Sequence, residues 1–401
     1  MADTFTSYAT ANPLTRKKWS MRKFVYGMQN MFFAKYGMMT VDVEGGNLDE
    51  RVGPPEGIVH VNVDLKGEGQ NKKGDKGTFR LDRPFTGDGQ GDDGQVRGKG
   101  ERKTVYNMSI TLHELSHAAQ PIGKLSAHRG VVEEDKDGAR LALWWAEKYE
   151  YAIYNAIAGL YNWSSAITII NELAPSTNRI IRSGQSAAGA YTTYTTDALL
   201  SAATEANTLF GPECIYHAED VARLATPKIM PVLIDGEECY VMLIHTWQKR
   251  ALMATTAWTD IQKYANLRGK TNPFFTGTLG RLSKTWLFEY ERTAYRTGAG
   301  GTTPAEGFAL SGGAATDPVA TGRTVCNATF MGRDAVGVLV GQEFRLYVKD
   351  IAERDLVEVQ CDSLLGVKKC RFNDYNDTTG AETAGEDYAT IQVRTSAQPR
   401  S

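Results

Sequence analysis

Residues 272–280 read Asn272-Pro273-Phe274-Phe275-Thr276-Gly277-Thr278-Leu279-Gly280. Upstream stand Val241-Met242-Leu243-Ile244-His245 and a helix-like stretch through Trp247, Leu252 and Trp258. Downstream, Thr285-Trp286-Leu287-Phe288-Glu289 reads as a strand. A short apolar run fits a buried strand, and its neighbour at three-to-four spacing fits a helix, so this region mixes both. Residues 212–350 repeat the pattern. Val232-Leu233-Ile234 and Tyr240 to Ile244 are strand candidates around an Asp235-Gly236 turn, and Arg250 to Tyr264 is a helix candidate. Residues 298–323 form a Gly/Thr/Ala loop before strand-like Val336-Gly337-Val338-Leu339-Val340. The C-terminal part is β-rich, through Leu356 to Cys361, Val367 to Phe372 and Tyr388 to Val393.

Working toward the N-terminus, residues 176–210 are rich in Ser, Thr, Ala and Gly and read as a loop-like excursion. The longest helix is predicted from Glu134 to Leu160. Leu141, Trp145, Tyr149, Ala152, Ala156 and Leu160 recur there on one face, and Glu133, Glu134, Asp135 and Asp137 favour its dipole at the start. Tyr106, Met108, Ile110 and Leu112 alternate with polar residues as in a half-buried strand. Before them, residues 51–110 hold strand-like runs at Ile58 to Val63 and Thr78 to Leu81 among recurrent glycines. Too few apolar side chains remain for a local core, so this segment reads as a long projecting hairpin. The run from Gly87 to Gly94 serves as turns. Residues 1–50 read as an arm. Trp19, Phe24, Met28, Met31, Phe32 and Phe33 alternate with Arg and Lys at helical spacing, which suits docking on a protein surface or contact with DNA.

With 401 residues the chain can bury a substantial core. Its net charge of −2 gives no global basic surface for sequence-specific nucleic-acid binding. Cys214, Cys239, Cys326, Cys361 and Cys370 are odd in number and lack paired short spacings, which fits free thiols. A Cys361–Cys370 bridge is the alternative. No secretion signal or membrane span is expected. Asn162-Trp163-Ser164 matches a glycosylation pattern without consequence in the absence of secretion.

His113-Glu114-Leu115-Ser116-His117 tempts a reader toward a zinc peptidase. On a helix, two histidines one turn apart hold zinc while the glutamate serves as general base. Position 123 is Gly, so a third histidine is missing; Glu133 or Glu134 would have to complete the set. The context argues against it. His113 follows an alternating strand pattern, Pro121 leaves little helix, and ordinary polar residues near a strand–helix junction are expected. His217, close to Cys214, Glu219 and Asp220, is assigned to a surface turn. No phosphate-loop or nucleophile-elbow motif occurs.

In order and spacing, roughly residues 50–395 resemble the major capsid proteins of tailed bacteriophages. The likeness is greatest to the family found in short-tailed phages that carry a giant virion RNA polymerase. It is carried by the 272–280 stretch and its flanks, the Gly-rich Thr86–Gly91, and Gly123-Lys124-Leu125 with Ser126 and Arg129. Leu143-Trp144-Trp145, Val340-Gly341-Gln342-Glu343 and Gly366-Val367-Lys368-Lys369-Cys370-Arg371-Phe372 complete the series. In that family a helix is expected near His117 without zinc.

The resemblance implies an α+β shell fold. Its parts would be an N-terminal arm (1–50), an extended β-hairpin loop (51–110), a peripheral domain with a long spine helix (111–211) and an axial domain (212–350). C-terminal strands (351–401) would return to the peripheral domain. It also implies self-assembly into hexamers and pentamers of an icosahedral virion head, built in the host cytoplasm and enclosing double-stranded DNA without sequence-specific binding. Partners would be the portal protein and, as candidates, decoration and scaffolding proteins. No enzyme activity, cofactor, metal, catalytic residue or membrane is implied. Lys66, Lys72, Lys73, Lys76, Lys99 and Lys103 lie in the loop, but no activating carboxylate or asparagine identifies a cross-link. An encapsulin-like compartment protein would share the fold, and the peptidase of His113, Glu114 and His117 is the reading from another class.

Overall fold

The chain begins with helix α1 (Pro13–Asn30), one turn of α2 (Phe32–Lys35) and strands β1 (Met39–Asp42) and β2 (Val59–Val63). Strands β3 (Lys76–Asp82), β4 (Val105–Thr111) and β5 (His113–Ala118) precede α3 (Glu134–Ala158), the predicted spine helix. There follow β6 (Ile170–Asn171), β7 (Ile180–Gln185), β8 (Tyr191–Thr193), α4 (Asp197–Ala202) and α5 (Pro212–Leu224). Then come β9 (Val232–Ile234), β10 (Glu237–Ile244), α6 (Thr246–Ala254), β11 (Thr278–Leu282), β12 (Thr285–Glu289) and β13 (Tyr295–Thr297). The chain closes with β14 (Thr324–Met331), β15 (Val336–Ile351), β16 (Leu356–Lys369), β17 (Asp374–Tyr375), β18 (Glu382–Thr383) and β19 (Thr390–Ala397).

This computed structural model describes residues 13–42, 57–63, 76–82, 105–119, 134–159, 170–171, 175–186, 188–204, 207–225, 228–234, 237–256, 258, 278–290, 293, 295–297, 324–351, 356–372, 374–375, 382–383 and 385–397. Asn272 to Gly277, the Gly87–Gly94 run, the 298–323 loop and the Asn162 triplet lie outside these residues. So do Gly123 to Arg129, Glu133, Leu160 and the end of the 250–264 helix candidate.

Two sheets carry the body. The first has the order β1-β2-β15-β16-β5, with β6 also on β16. The second runs β11-β12-β10-β14-β19-β7-β8, with β13 on β14 and β9 on β10. Its centre is buried along its length: β14 is buried at every position and β10 from Cys239 to Ile244. That is why Tyr240 to Ile244 of β10 reads as an unbroken apolar run instead of an alternating one, while β14 buries Thr324, Asn327 and Thr329 along with its apolar residues. Two expectations change here. Leu356–Cys361 and Val367 to Lys369 belong to one strand, β16, laddered to β15 from Val336↔Lys369 to Ile351↔Leu356. The 176–210 excursion contains β7, which pairs in parallel with β19 and so joins the second sheet.

The spine helix α3 fixes the two sheets and the arm relative to each other. From Tyr149 to Ala158 every residue is buried, beyond the single face that its periodicity predicts. Trp145 marks the crossing. Its ring meets Phe24 of α1 at 5.6 Å, Tyr149 at 5.3 Å and Phe344 of β15 at 5.2 Å. Its indole N–H donates to Ser363 Oγ at 2.8 Å, so the polar edge is satisfied as well as the apolar body. Trp145→Ala would open a cavity worth about 3–5 kcal/mol. The α1 expectation of docking is met within this chain: a Cβ on Gly27 would sit 2.9 Å from the Ala142 carbonyl, so only glycine allows that approach.

Helix α6 starts at Thr246, four residues earlier than read from sequence. His245 caps it, its Nδ1 accepting from Trp247 N at 3.1 Å, while Gln248 Oε1 accepts from His245 N at 3.1 Å. All five cysteines are free and buried, so Cys361 and Cys370 are not bridged. Among the described residues no helix is long and apolar enough to cross a membrane.

Candidate functional site

The His113–His117 segment is strand β5, not part of a helix. It pairs antiparallel with β16, from His113↔Leu365 to His117↔Cys361. Four residues of extended chain separate the imidazoles by about 13 Å, too far to share an ion bound at about 2 Å, and Glu114 points to the opposite face. Leu115 is the buried residue of this strand, while Glu114, Ser116 and His117 are exposed. His117 stacks on Trp144 of the spine helix, ring centroids 4.4 Å apart. The helix expected near His117 is therefore replaced by a sheet edge, and Glu134 begins α3. The other tempting cluster also separates. His217 lies on helix α5, not on a surface turn, and its Nδ1 meets the Tyr191 hydroxyl. Cys214 faces the core and Glu219 is held by Arg223 at 3.0 Å.

What the fold does present is a ribbon and its root. Among the described residues, strands β3 and β4 pair only with each other, from Lys76↔Thr111 to Asp82↔Val105. The root is seated on the β15–β16 hairpin where glycine removes side chains. A Cβ on Gly366 would lie 2.2 Å from the Thr111 carbonyl, and one on Gly77 would lie 2.6 Å from Leu339 Cδ2. Lys368 adds a donor, its Nζ reaching Ser109 O at 2.9 Å. Lys76 opens the ribbon and is exposed; Lys66, Lys72, Lys73, Lys99 and Lys103 lie outside the described residues.

The second feature is the junction of arm, spine and second sheet. Glu150, buried in α3, accepts from Phe32 N at 2.9 Å with one oxygen and from the Tyr290 hydroxyl at 2.8 Å with the other. One carboxylate thus ties three segments of the chain. A cleft of about 470 Å³ opens beside it, lined by Phe32, Lys35, Tyr36, Leu143, Glu147 and Tyr290 among others. Phe32, Tyr36 and Phe288 pack edge-on or tilted at 4.8–6.0 Å, which makes the floor rigid and apolar.

Buried charges hold the far ends of the chain. Asp387 Oδ2 accepts from Lys369 Nζ at 2.8 Å and from Ser176 N at 3.1 Å, while Oδ1 accepts from Arg371 Nε at 2.9 Å. Lys369 and Asp387 side chains are wholly buried. Burial pulls the Lys369 ammonium below its ordinary value, against the raising influence of Asp387. Asp197, at the start of α4, bridges Arg182 and Arg394 at 2.6 Å each. Sequence reading found none of Glu150, Asp197 or Asp387. The one available signal was a carboxylate set between Tyr149 and Tyr151 in an apolar stretch, and it does not name partners that lie 118 and 140 residues away.

The arrangement holds segments in place and, among the described residues, exposes a face of α1 and the edge strand β5. It supplies no aligned acid, base and nucleophile among the described residues. A family model described as phage capsid protein matches residues 9–399. No curated protein matches the sequence. Among solved structures, the chain is similar to the capsid of Ralstonia phage GP4, with 18% identity, 93% of each chain covered and a TM-score of 0.65. It is similar to the capsid of Helicobacter pylori bacteriophage KHP30, with 14% identity, 91% of each chain and a TM-score of 0.59. The Cyanophage Pam1 capsid matches at 16% identity over 82% of this chain and 87% of that one, with a TM-score of 0.57. These likenesses show the shell fold in its α+β form.

Proposed function

The chain belongs to the phage capsid protein family, and from that premise we propose that its copies join head to tail into the hexamers and pentamers of an icosahedral head around double-stranded DNA. As a major capsid protein it is a virion component that assembles with itself. The observation that carries the finer reading is the β3–β4 ribbon. Among the described residues its strands pair only with each other, and residues 83–104 between them hold Phe85 and Val96 as the only large apolar side chains. Such a segment buries its surface only when a second copy supplies the other half. Permanent assemblies of this sort bury about 2,000–5,000 Å² per interface, and head-to-tail contacts that close by rotation make rings.

In this reading the first sheet, with α3, forms the peripheral domain. The second sheet forms the axial domain, centred on 212–350, and the arm (1–50) and loop (51–110) lap over neighbours. Of the residues after 350, β16 returns to the peripheral sheet, which β15 of the 212–350 span also joins, whereas β19 lies in the second sheet between β14 and β7. The role is structural, with no catalytic step. Short-tailed phages with a giant virion RNA polymerase are the proposed source class, on the ordered motifs from Thr86 to Phe372. Portal, scaffolding and decoration proteins are proposed partners, and the host cytoplasm the place of assembly.

Electron microscopy of the purified protein directly after size-exclusion chromatography tests the reading. Closed shells, tubes or hexameric rings are expected. A protein that stays monomeric at every concentration and salt, and also with a co-expressed scaffold, would overturn it. Deleting residues 67–100 should leave folded subunits that make no stable particles.

A further inference from the structure

The spine helix brings two carboxylates to the cleft beside the arm. Leu143, Ala146, Glu147 and Glu150 recur at steps of three and four, so they form one stripe of α3 and one wall of the cleft. The arm supplies a second wall through Phe32, Lys35 and Tyr36, and Glu289 and Tyr290 at the end of β12 a third. Glu289 is paired with Lys249, so its charge is met. The charge of Glu150 is not. That residue is 8% exposed, and both its oxygens accept from neutral donors, a backbone N–H and a phenol O–H. Among the described residues no cation pairs with it. A buried carboxylate without a counter-charge is costly, and buried charges in proteins are ordinarily paired. Lys35 lines the cleft from an exposed position, its Nζ 5.7 Å from the Tyr36 ring centroid. Two carboxylates, Glu147 and Glu150, thus stand against one ammonium around an opening of about 470 Å³.

We infer that this cleft is a binding site for a small organic cation, an alkyl chain that carries an ammonium or guanidinium group. Each part of such a molecule has a partner here. Glu150 at depth and Glu147 one helical turn away hold the cationic head, or the two heads of a diamine. The faces of Phe32, Tyr36 and Tyr290 attract a cation, more strongly where water is excluded. Leu143, 37% exposed, and Ala146 give the alkyl chain apolar surface. The volume favours a free molecule over one side chain of a neighbouring copy, since sites for whole ligands span about 300–1,000 Å³. The bound cation braces arm, spine and second sheet where Glu150 already ties them. The site forms within one folded subunit, so it exists whether or not shells assemble.

The test titrates putrescine into the full-length, unassembled subunit by isothermal calorimetry, with butane-1,4-diol as the uncharged isostere. Saturable single-site binding is expected for the diamine and none for the diol. Glu147→Gln should weaken binding about two- to fivefold, the range of an exposed ion pair. Lys35→Gln should tighten it by a similar factor, because a like charge leaves the cleft. A merely structural role for these two residues would not move affinity in opposite directions. Glu150 stays in place, since its loss also releases Phe32 and Tyr290. Asp137→Asn, at the start of the same helix and paired with Arg140, should change nothing. No saturable binding at millimolar diamine, equal affinity for the parent and both cleft variants, or equal binding of the diol would overturn the inference. So would putrescine that binds the free subunit and is excluded from assembled particles, since a side chain of a neighbouring copy would then fill the cleft. Binding by a subunit that never assembles would count against the shell reading alone.

Discussion

Asp387→Asn isolates the energetics of the buried charge cluster that fastens the C-terminal segment. Asn keeps the volume of the side chain but removes the charge shared by Lys369 at 2.8 Å and Arg371 at 2.9 Å. Removing one partner of a buried pair costs about 3–5 kcal/mol, because the opposite charge stays desolvated. Here that cost has an escape. Burial already lowers the Lys369 value, and without Asp387 only lowering influences remain, namely burial and the nearby Arg371. The folded value then lies below the unfolded one of about 10.4, so the unfolded chain binds more protons and stability rises with pH up to that value. The deficit of the variant should therefore shrink as pH is raised from about 7 toward 10. Urea denaturation of the unassembled subunit, followed by tryptophan fluorescence for parent and variant at both ends of this range, reads it directly. A deficit under about 0.5 kcal/mol at neutral pH, the size of an ordinary surface change, would refute the reasoning. A large deficit that does not move with pH would refute the part assigned to Lys369.

Further outcomes follow from other sites. Burial lowers His245 from 6.5 to about 4, so its contribution is complete above 6.5, is lost progressively as pH falls toward 4 and is flat below. The loss amounts to about 3 kcal/mol, and His245→Asn, which keeps a capping acceptor, should flatten that part of the pH–stability curve measured by denaturation. Gly366→Ala drives a Cβ to 2.2 Å from the Thr111 carbonyl. It should cost about 1–3 kcal/mol and unseat the ribbon, which loss of particles on size-exclusion chromatography with retained circular dichroism would report. Glu114→Gln, on an exposed strand position, should shift stability by less than about 0.5 kcal/mol and leave particle yield unchanged; a larger effect on either would argue for a role at this site.

Much of the architecture is written in local pattern. The spine helix announces itself through Leu141, Trp145 and Tyr149, and the strands at Val232–Ile234 and Thr285–Glu289 through short apolar runs between turn residues. These elements owe their form to side-chain periodicity, which a window of a dozen residues contains. The ordered motifs from Thr86 to Phe372 sufficed for the family. Other features depend on partners distant in sequence. His113–His117 carries a motif that suits a helix, and it is a strand because residues 360–365 of β16 complete its hydrogen-bond ladder. Residues 180–185 look like a small-residue loop and become a strand once β19 lies beside them, some 210 residues later. Glu150 and Asp387 acquire their roles only when Phe32, Tyr290, Lys369 and Ser176 are brought to them. Periodicity is a property of neighbours along the chain, whereas ladders and buried ion pairs belong to neighbours in space, and only the packed structure decides which those are.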